Sequence, residues 1–483
     1  MPTPRRIYSK KIIATRLSPD GRQFVVAGMM AFATVEKRSA ECGYSLVNPI
    51  LPSRFVAAIQ SICHYWATNE TKAVYEKISG QYPANAKGIR EYLVGDVHGD
   101  LNHLVGNLVE SGAANFKAGA PTTLFFDTVT RQTSTTISDL VKTDGNAWGQ
   151  LRMIPNLEFN REFSNHITFL GDVLDRGEFS DECLCTLIHL FDQQARAIAN
   201  PERWKMHWVF ADHEIYALMP VLNFNIMPFN PHYMHLQTPR TRSDCPVSVA
   251  HLLRDAVNAG YIEYTRIGTN GVLFGHSFLT PGFLEAFLVE LKSNNPTCAR
   301  VSQAGEGLDV MAAAGAIGHL QAVDRDAKKF HENPAKLNAL YGWDYNNSLE
   351  VLVRHLNGAL KAAVNYGANL DPNNPNFASQ MLELTDLHMF IPPDDHSPIF
   401  ARTHPLLIPQ AVGHTRQNDG RVRHVGGGAP ETVPVYFFDT ASSYAYNRQR
   451  SRPRIACIEP NGEISSGKMP DEASNPAFNV FSA

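Results

Sequence analysis

From residue 91 onward the chain repeats one change of rhythm. A short apolar run stops at a turn, and residues at helical spacing follow. Tyr92-Leu93-Val94 ends at Gly95, and Leu101, Leu104, Val105, Leu108 and Val109 then recur as one helix face. His166 to Leu170 repeats the pattern, closing at Gly171 before a helix expected over Asp181 to Ala197. Met206 to Phe210 is a third run, followed by a helix opening at Ile215 and broken near Pro220. Tyr261 to Ile267 and Val272 to Phe274 predict a hairpin across Gly268-Thr269-Asn270-Gly271. Alternating strands and helices of this kind predict an α/β fold with buried parallel strands.

The remaining segments are read around that series. Phe24 to Val35 is the most apolar stretch, and at a dozen residues it suits a core element better than a bilayer span. A helix is expected from Ser53 to about Ile78, ended by Gly80-Gln81-Tyr82-Pro83. Residues 115–160 carry the Thr-rich run Thr122 to Ser138 and are expected as a surface insertion. Asn223 to Pro246 is aperiodic and predicts a long loop. Leu349, Leu352, Val353, Leu356, Leu360 and Val364 give residues 284–398 the pattern of a helical insertion or cap. Ala411-Val412, Val433 to Phe438 and Arg454 to Ile458 are late strands. The expected division is an N-terminal layer (1–90), a core made of 91–283 and 399–465, the helical insertion, and a flexible tail (466–483).

Composition narrows this picture little. The chain has 483 residues, of which 44% are hydrophobic and 19% charged, enough for a substantial core. A formal charge of -4 argues against a dedicated nucleic-acid or anionic-membrane binder. Seven scattered cysteines do not form a disulfide framework, so they are expected as thiols in a reducing, cytoplasmic setting. Cys183 and Cys185 are expected as core thiols. No signal peptide or membrane span is expected.

Chemistry gathers where the apolar runs stop. Asp96 and His98 follow the first, one residue apart, so both side chains can converge on one ion. Asp172, Asp175 and Arg176 follow the second, and Asp212, His213 and Glu214 the third. His276 ends the hairpin and His414 ends Ala411-Val412, with Arg402 and His404 shortly before it. Three acids and three histidines (Asp96, His98, Asp172, Asp212, His276 and His414) suit two divalent ions with one carboxylate between them. Arg176 and Arg402 suit a tetrahedral phosphate dianion through paired hydrogen bonds. By contrast, His103, His166, His189, His207 and His251 are expected as structural histidines. Asp100 and Glu214 are expected as helix caps or supports behind the ligands.

The strings Gly95-Asp96-Val97-His98-Gly99, Gly171-Asp172-Val173-Leu174-Asp175-Arg176-Gly177 and Ala211-Asp212-His213-Glu214, followed by two later histidines, resemble the calcineurin-like metallophosphoesterase superfamily, within it the phosphoprotein phosphatase branch. The resemblance covers roughly 91–280 and 400–445. It implies a metallophosphatase-type β-sandwich flanked by helices, an α/β class in the α+β sandwich sense. It also implies two divalent metal ions, Mn favoured over Fe, Zn or Mg. By the same resemblance Asp96, His98 and Asp172 hold one ion, and Asp172 with Asp212, His276 and His414 the other. His213 is the general acid, oriented by Asp175, while Arg176 and Arg402 bind phosphate. A hydroxide bridging the metals is the implied in-line nucleophile. Arg416 stands where other branches carry a further ligand histidine. The family has Asn where this chain has Asp212, which ligates but donates nothing to phosphate and repels it, so a slower phosphatase is expected.

The implied function is hydrolysis of phosphomonoesters on a phosphoprotein or phosphopeptide, serine/threonine favoured and tyrosine admitted. One alternative is a dinucleoside polyphosphate or nucleotide hydrolase. Another is a weakened phosphatase fold that binds a protein partner through the helical insertion. In overall organisation the chain is also similar to bacterial effector phosphatases of the Legionella Wip type, which are secreted into a host cell.

Overall fold

The computed structural model describes residues 53–70, 72–140, 151–174, 177, 179–211, 213–214, 218, 246–292, 309–326, 339, 344–368, 405–414, 423–424, 433–439 and 453–470. The apolar segment Phe24 to Val35, most of the loop 223–246 and the tail beyond 470 lie outside them.

The described residues open with α1 (Ser53–Thr68), β1 (Val74–Gln81), β2 (Glu91–Val94), α2 (Leu101–Glu110), β3 (Ala114–Phe116), β4 (Thr123–Asp127), β5 (Thr133–Ser134), β6 (Leu151–Pro155), β7 (Leu157–Phe159) and β8 (His166–Phe169). It continues with α3 (Ser180–Ala197), β9 (Met206–Val209), α4 (Pro246–Ala259), β10 (Ile262–Glu263), β11 (Thr265–Ile267) and β12 (Leu273–Gly275). Then come α5 (Pro281–Lys292), α6 (Val310–Arg325), α7 (Tyr345–Ala368), β13 (Gln410–Val412), β14 (Arg423–His424), β15 (Val435–Phe437), β16 (Arg454–Ile458) and β17 (Glu463–Lys468). The architecture is α/β, with helices flanking two principal sheets. The larger sheet has the order β1-β17-β16-β2-β8-β9-β10, and the smaller β11-β12-β13-β15-β14.

Strand alternation puts the two sheets face to face. Leu93 on β2, Ala456 and Ile458 on β16, and Ile464 on β17 share one apolar cluster with Phe274 on β12, Ala411 on β13 and Tyr436 on β15. Their neighbours Tyr92, Val94, Ile455 and Cys457 point the other way, into a core with Ile59 and Ile62 of α1, Leu104 and Leu108 of α2 and Leu187 of α3. On the far side of the smaller sheet, Phe278, Val412, Val433 and Val435 form a third cluster. Cys183 and Cys185 are fully buried free thiols in α3.

Arg266 joins the sheets at the end opposite the strand-end acids. Its Nη1 donates to Thr168 Oγ1 at 2.7 Å and lies 3.9 Å from Glu91 Oε2. Burial pushes the Glu91 carboxyl up. Arg266, His166 and the Thr269 N–H outweigh burial and hold it at about 2.

Two sequence expectations give way. The first helix ends at Thr68, and residues 74–81 are an edge strand of the larger sheet, antiparallel to β17. The mixed polar and apolar string Val74-Tyr75-Glu76-Lys77-Ile78 suits a half-exposed edge strand, and Lys77 pairs across it with Glu463. The segment 115–160 is not merely a surface insertion. β4 pairs with both β5 and β6, and Leu124, Phe126, Met153 and Ile154 enter the main core. The Thr-rich polarity marks only the outer hairpin. Arg152 on β6 is buried and donates twice to Asp181 of α3, at 3.0 and 2.8 Å.

Candidate metal centre

The carboxyl ends of β2, β8, β12 and β13 lie at one rim, and the loops behind two of them are laced together. Val97 and His98 N–H both donate to Asp172 O, at 3.0 and 2.7 Å, and Gly99 N–H donates to Val173 O at 2.8 Å. Three non-glycine site residues have left-handed backbone: His98 (φ 48°) and Asp172 (φ 46°) within this lacing, and His414 (φ 57°) beyond β13. Such conformations are costly outside glycine and concentrate where the surrounding structure enforces them. Gly171 is required on two grounds. Its φ is +101°, and a Cβ there would meet His276 Nδ1 at 2.6 Å and Ala211 Cβ at 2.5 Å.

Asp172 occupies the middle of the cluster. Its Oδ2 lies 3.4 Å from His98 Nε2 and 3.7 Å from His213 Nε2, while its Oδ1 lies 3.5 Å from His276 Nε2. Asp96 Oδ2 is 3.7 Å from His98 Nε2, and its Oδ1 is 4.0 Å from His276 Nδ1 and accepts the His414 N–H at 3.0 Å. His414 Nδ1 is 2.8 Å from His276 Nε2. Asp96, His98, Asp172, His213 and His276 are at most 2% exposed.

The ring orientations show what these atoms present. Leu170 O lies 2.8 Å from His276 Nδ1, and Leu174 O lies 3.3 Å from His98 Nδ1. A carbonyl only accepts, so each Nδ1 carries a hydrogen and each Nε2 is the ring atom turned toward Asp172. Imidazole nitrogens and carboxylate oxygens converging in a buried space form a donor set that a bound cation would satisfy. Two overlapping groups can hold a metal ion, His98-Asp172-His213 and Asp172-His276-His414. The imidazole and carboxylate donors suit divalent transition metals.

Six residues expected from the sequence are therefore brought together: Asp96, His98, Asp172, His213, His276 and His414. Asp175, Arg176, Asp212, Arg402 and His404 lie outside the described residues. His213, expected as general acid, sits within the first ligand group. Asp100 caps α2 by accepting the His103 N–H at 3.0 Å. Glu214 supports the centre from behind, Oε2 accepting from Asp172 N–H and Oε1 from Val173 N–H. His103 is buried beside the cluster. Burial draws its imidazole down to about 4 against the opposing charge of Asp96.

One buried acid at this rim was not singled out from the sequence: Asp439, 1% exposed, two residues beyond β15. The signal was present, since Val435-Tyr436-Phe437-Phe438 is another apolar run ending in an acid. Among the described residues no helix is long and apolar enough to cross a membrane. A comparison of the chain with family models, curated proteins and solved structures finds no match.

Proposed function

We propose that this protein is a metal-dependent phosphatase that hydrolyses phosphomonoesters on proteins. The observation that carries the reading is the division of Asp172, whose two carboxylate oxygens face two different ligand groups. A carboxylate so placed suits a dinuclear centre, and paired divalent ions supply Lewis acidity and a more acidic water for phosphoryl transfer.

Asp96, His98 and Asp172 would hold one ion, and Asp172, His276 and His414 the other. Mn²⁺ is the expected metal, with Fe, Zn or Mg as substitutes. Water and a phosphomonoester yield an alcohol and inorganic phosphate, and the leaving alkoxide needs a proton. His213, its Nε2 buried at the edge of the cluster, would give it. Glu214 would keep Asp172 in place throughout the cycle.

Phosphate release from phosphoserine/threonine and phosphotyrosine peptides, measured with added Mn²⁺, tests the reading. Release from either class supports it, and release from neither overturns it. Diadenosine tetraphosphate as a parallel substrate separates a nucleotide hydrolase, which would turn it over faster than any peptide.

A further inference from the structure

Two helices of the insertion grip one dipeptide, Tyr264-Thr265, where the chain leaves β10 for β11. Asn357 of α7 does so through its side-chain amide. Its Oδ1 accepts the Tyr264 N–H at 2.8 Å and the Thr265 N–H at 3.2 Å, and its Nδ2 donates to Thr265 O at 3.0 Å. β11 is an edge of the smaller sheet, and this one amide serves the main chain there as a neighbouring strand would. From the other helix, Phe283 of α5 stacks on the Tyr264 ring, with centroids 6.0 Å apart and planes at 7°.

The far side of the same dipeptide leads to the metal centre. Thr265 stands opposite Gly275 in the β11–β12 ladder, and its Oγ1 donates to Phe274 O at 2.6 Å. The residue after Gly275 is His276, whose Nε2 lies 3.5 Å from Asp172 Oδ1 and 2.8 Å from His414 Nδ1. A small cavity bordered by Tyr264, Thr265, Gly275, His276 and Ser277 occupies this junction. Side chains facing a void lack contacts on that side, so packing alone resists a shift of β11 weakly. The hydrogen bonds on Thr265 supply the missing restraint, one ladder step from a metal-facing histidine.

We propose that the helical insertion positions the metal centre, with Asn357 as the positioning residue that holds His276 in place through β11 and β12. The inference rests on the dinuclear reading of the site and not on the identity of the substrate. His276 stands in only one of the two ion positions, so loss of Asn357 should be felt unequally by the two ions.

The test compares the full-length protein with Asn357→Ala, titrating Mn²⁺ by calorimetry without substrate. The expected result is one Mn²⁺ equivalent weakened about 10-fold and the other unchanged. Asn357→Asp still accepts both N–H groups and loses only the bond to Thr265 O. It should show the same one-sided loss, smaller in size, and it decides the matter where the alanine variant does not fold. Asn365→Ala is the control, because Asn365 ties the same helix to Asn258 of α4 and not to β11. Both of its Mn²⁺ equivalents should match the parent's. Unchanged affinities in the deciding Asn357 variant overturn the inference, as does equal weakening at both equivalents, the mark of general loosening. One-sided weakening in Asn365→Ala overturns it too, since the helix as a whole would then be responsible. A parent that binds a single equivalent removes the dinuclear reading and this inference with it. A parent that binds two equivalents but releases no phosphate removes the phosphatase reading and leaves this one standing.

Discussion

Glu214 holds Asp172 by its backbone rather than its side chain. Glu214 Oε2 accepts the Asp172 N–H at 3.2 Å, and Oε1 accepts the next N–H, that of Val173, at 2.9 Å. Both residues are buried, and Asp172 has the left-handed backbone that an unsupported aspartate seldom keeps. The carboxylate of one residue therefore fixes the direction of the other's.

Replacing Glu214 by Gln puts an amide NH₂ where one of two acceptors stood. One backbone N–H loses its partner, and Asp172 is freed to turn. Mn²⁺ affinity is expected to fall about 10–100-fold, with a parallel loss of phosphatase activity. Metal content after dialysis against graded Mn²⁺ checks this. Full occupancy at the parent's concentrations would show that Asp172 needs no such support.

His213 can be read two ways, and one substitution separates them. As a general acid it contributes to turnover and not to metal retention. His213→Asn should then lower kcat by about 10²–10⁴-fold with Mn²⁺ stoichiometry intact. As a ligand with His98 and Asp172, the residues it stands among, its loss would empty a metal position. Metal analysis and steady-state kinetics on the same preparation tell the two roles apart.

Arg266 lies far from that chemistry and ties the two sheets together. Arg266→Met leaves the Glu91 carboxylate buried without its cation, and unfolding free energy should drop by about 3–5 kcal/mol. The double variant Arg266→Met with Glu91→Gln removes both charges and should regain much of the loss. Urea unfolding of the three proteins measures it, and additive losses would refute the coupling.

The site was legible in the sequence because one local grammar produced most of it. Tyr92-Leu93-Val94, His166 to Phe169, Met206 to Val209, Leu273-Phe274 and Ala411-Val412 all stop where a ligand-bearing turn begins. Their meeting at a single rim follows from parallel strands in neighbouring positions. Asp439 escaped because no histidine or turn glycine accompanies it, although its strand ends in the same manner. Residues 74–81 were misread because mixed charge with scattered apolar positions fits a frayed helix as well as an edge strand, and only pairing with β17 decides between them. The Arg266–Glu91 contact spans sequence positions that no local rhythm links. It depends on which face of each strand the sandwich closes over.

Acid should unfold this protein through partly buried histidines away from the metal centre, and His189 shows why. Its Nε2 lies 2.8 Å from Gln193 Nε2, and that amide's orientation is set by the Phe159 N–H donating to Oε1 and by Nε2 donating to Leu157 O. His189 Nε2 must therefore accept, and a proton there would confront a donor. Burial, then the charge of Arg196, holds the imidazole down to about 4, with Glu158 opposing. An unfolded histidine takes its proton near 6.5, so between about 6.5 and 4 the unfolded chain binds more protons than the folded one. Stability is intact above that window, falls as pH drops through it, and has lost on the order of 3 kcal/mol from this residue at its lower end. His189→Leu has nothing to protonate. Urea unfolding at pH 7 and at pH 4 should show the variant losing about 3 kcal/mol less than the parent on acidification. Equal losses in the two proteins would mean that His189 takes its proton as readily folded as unfolded.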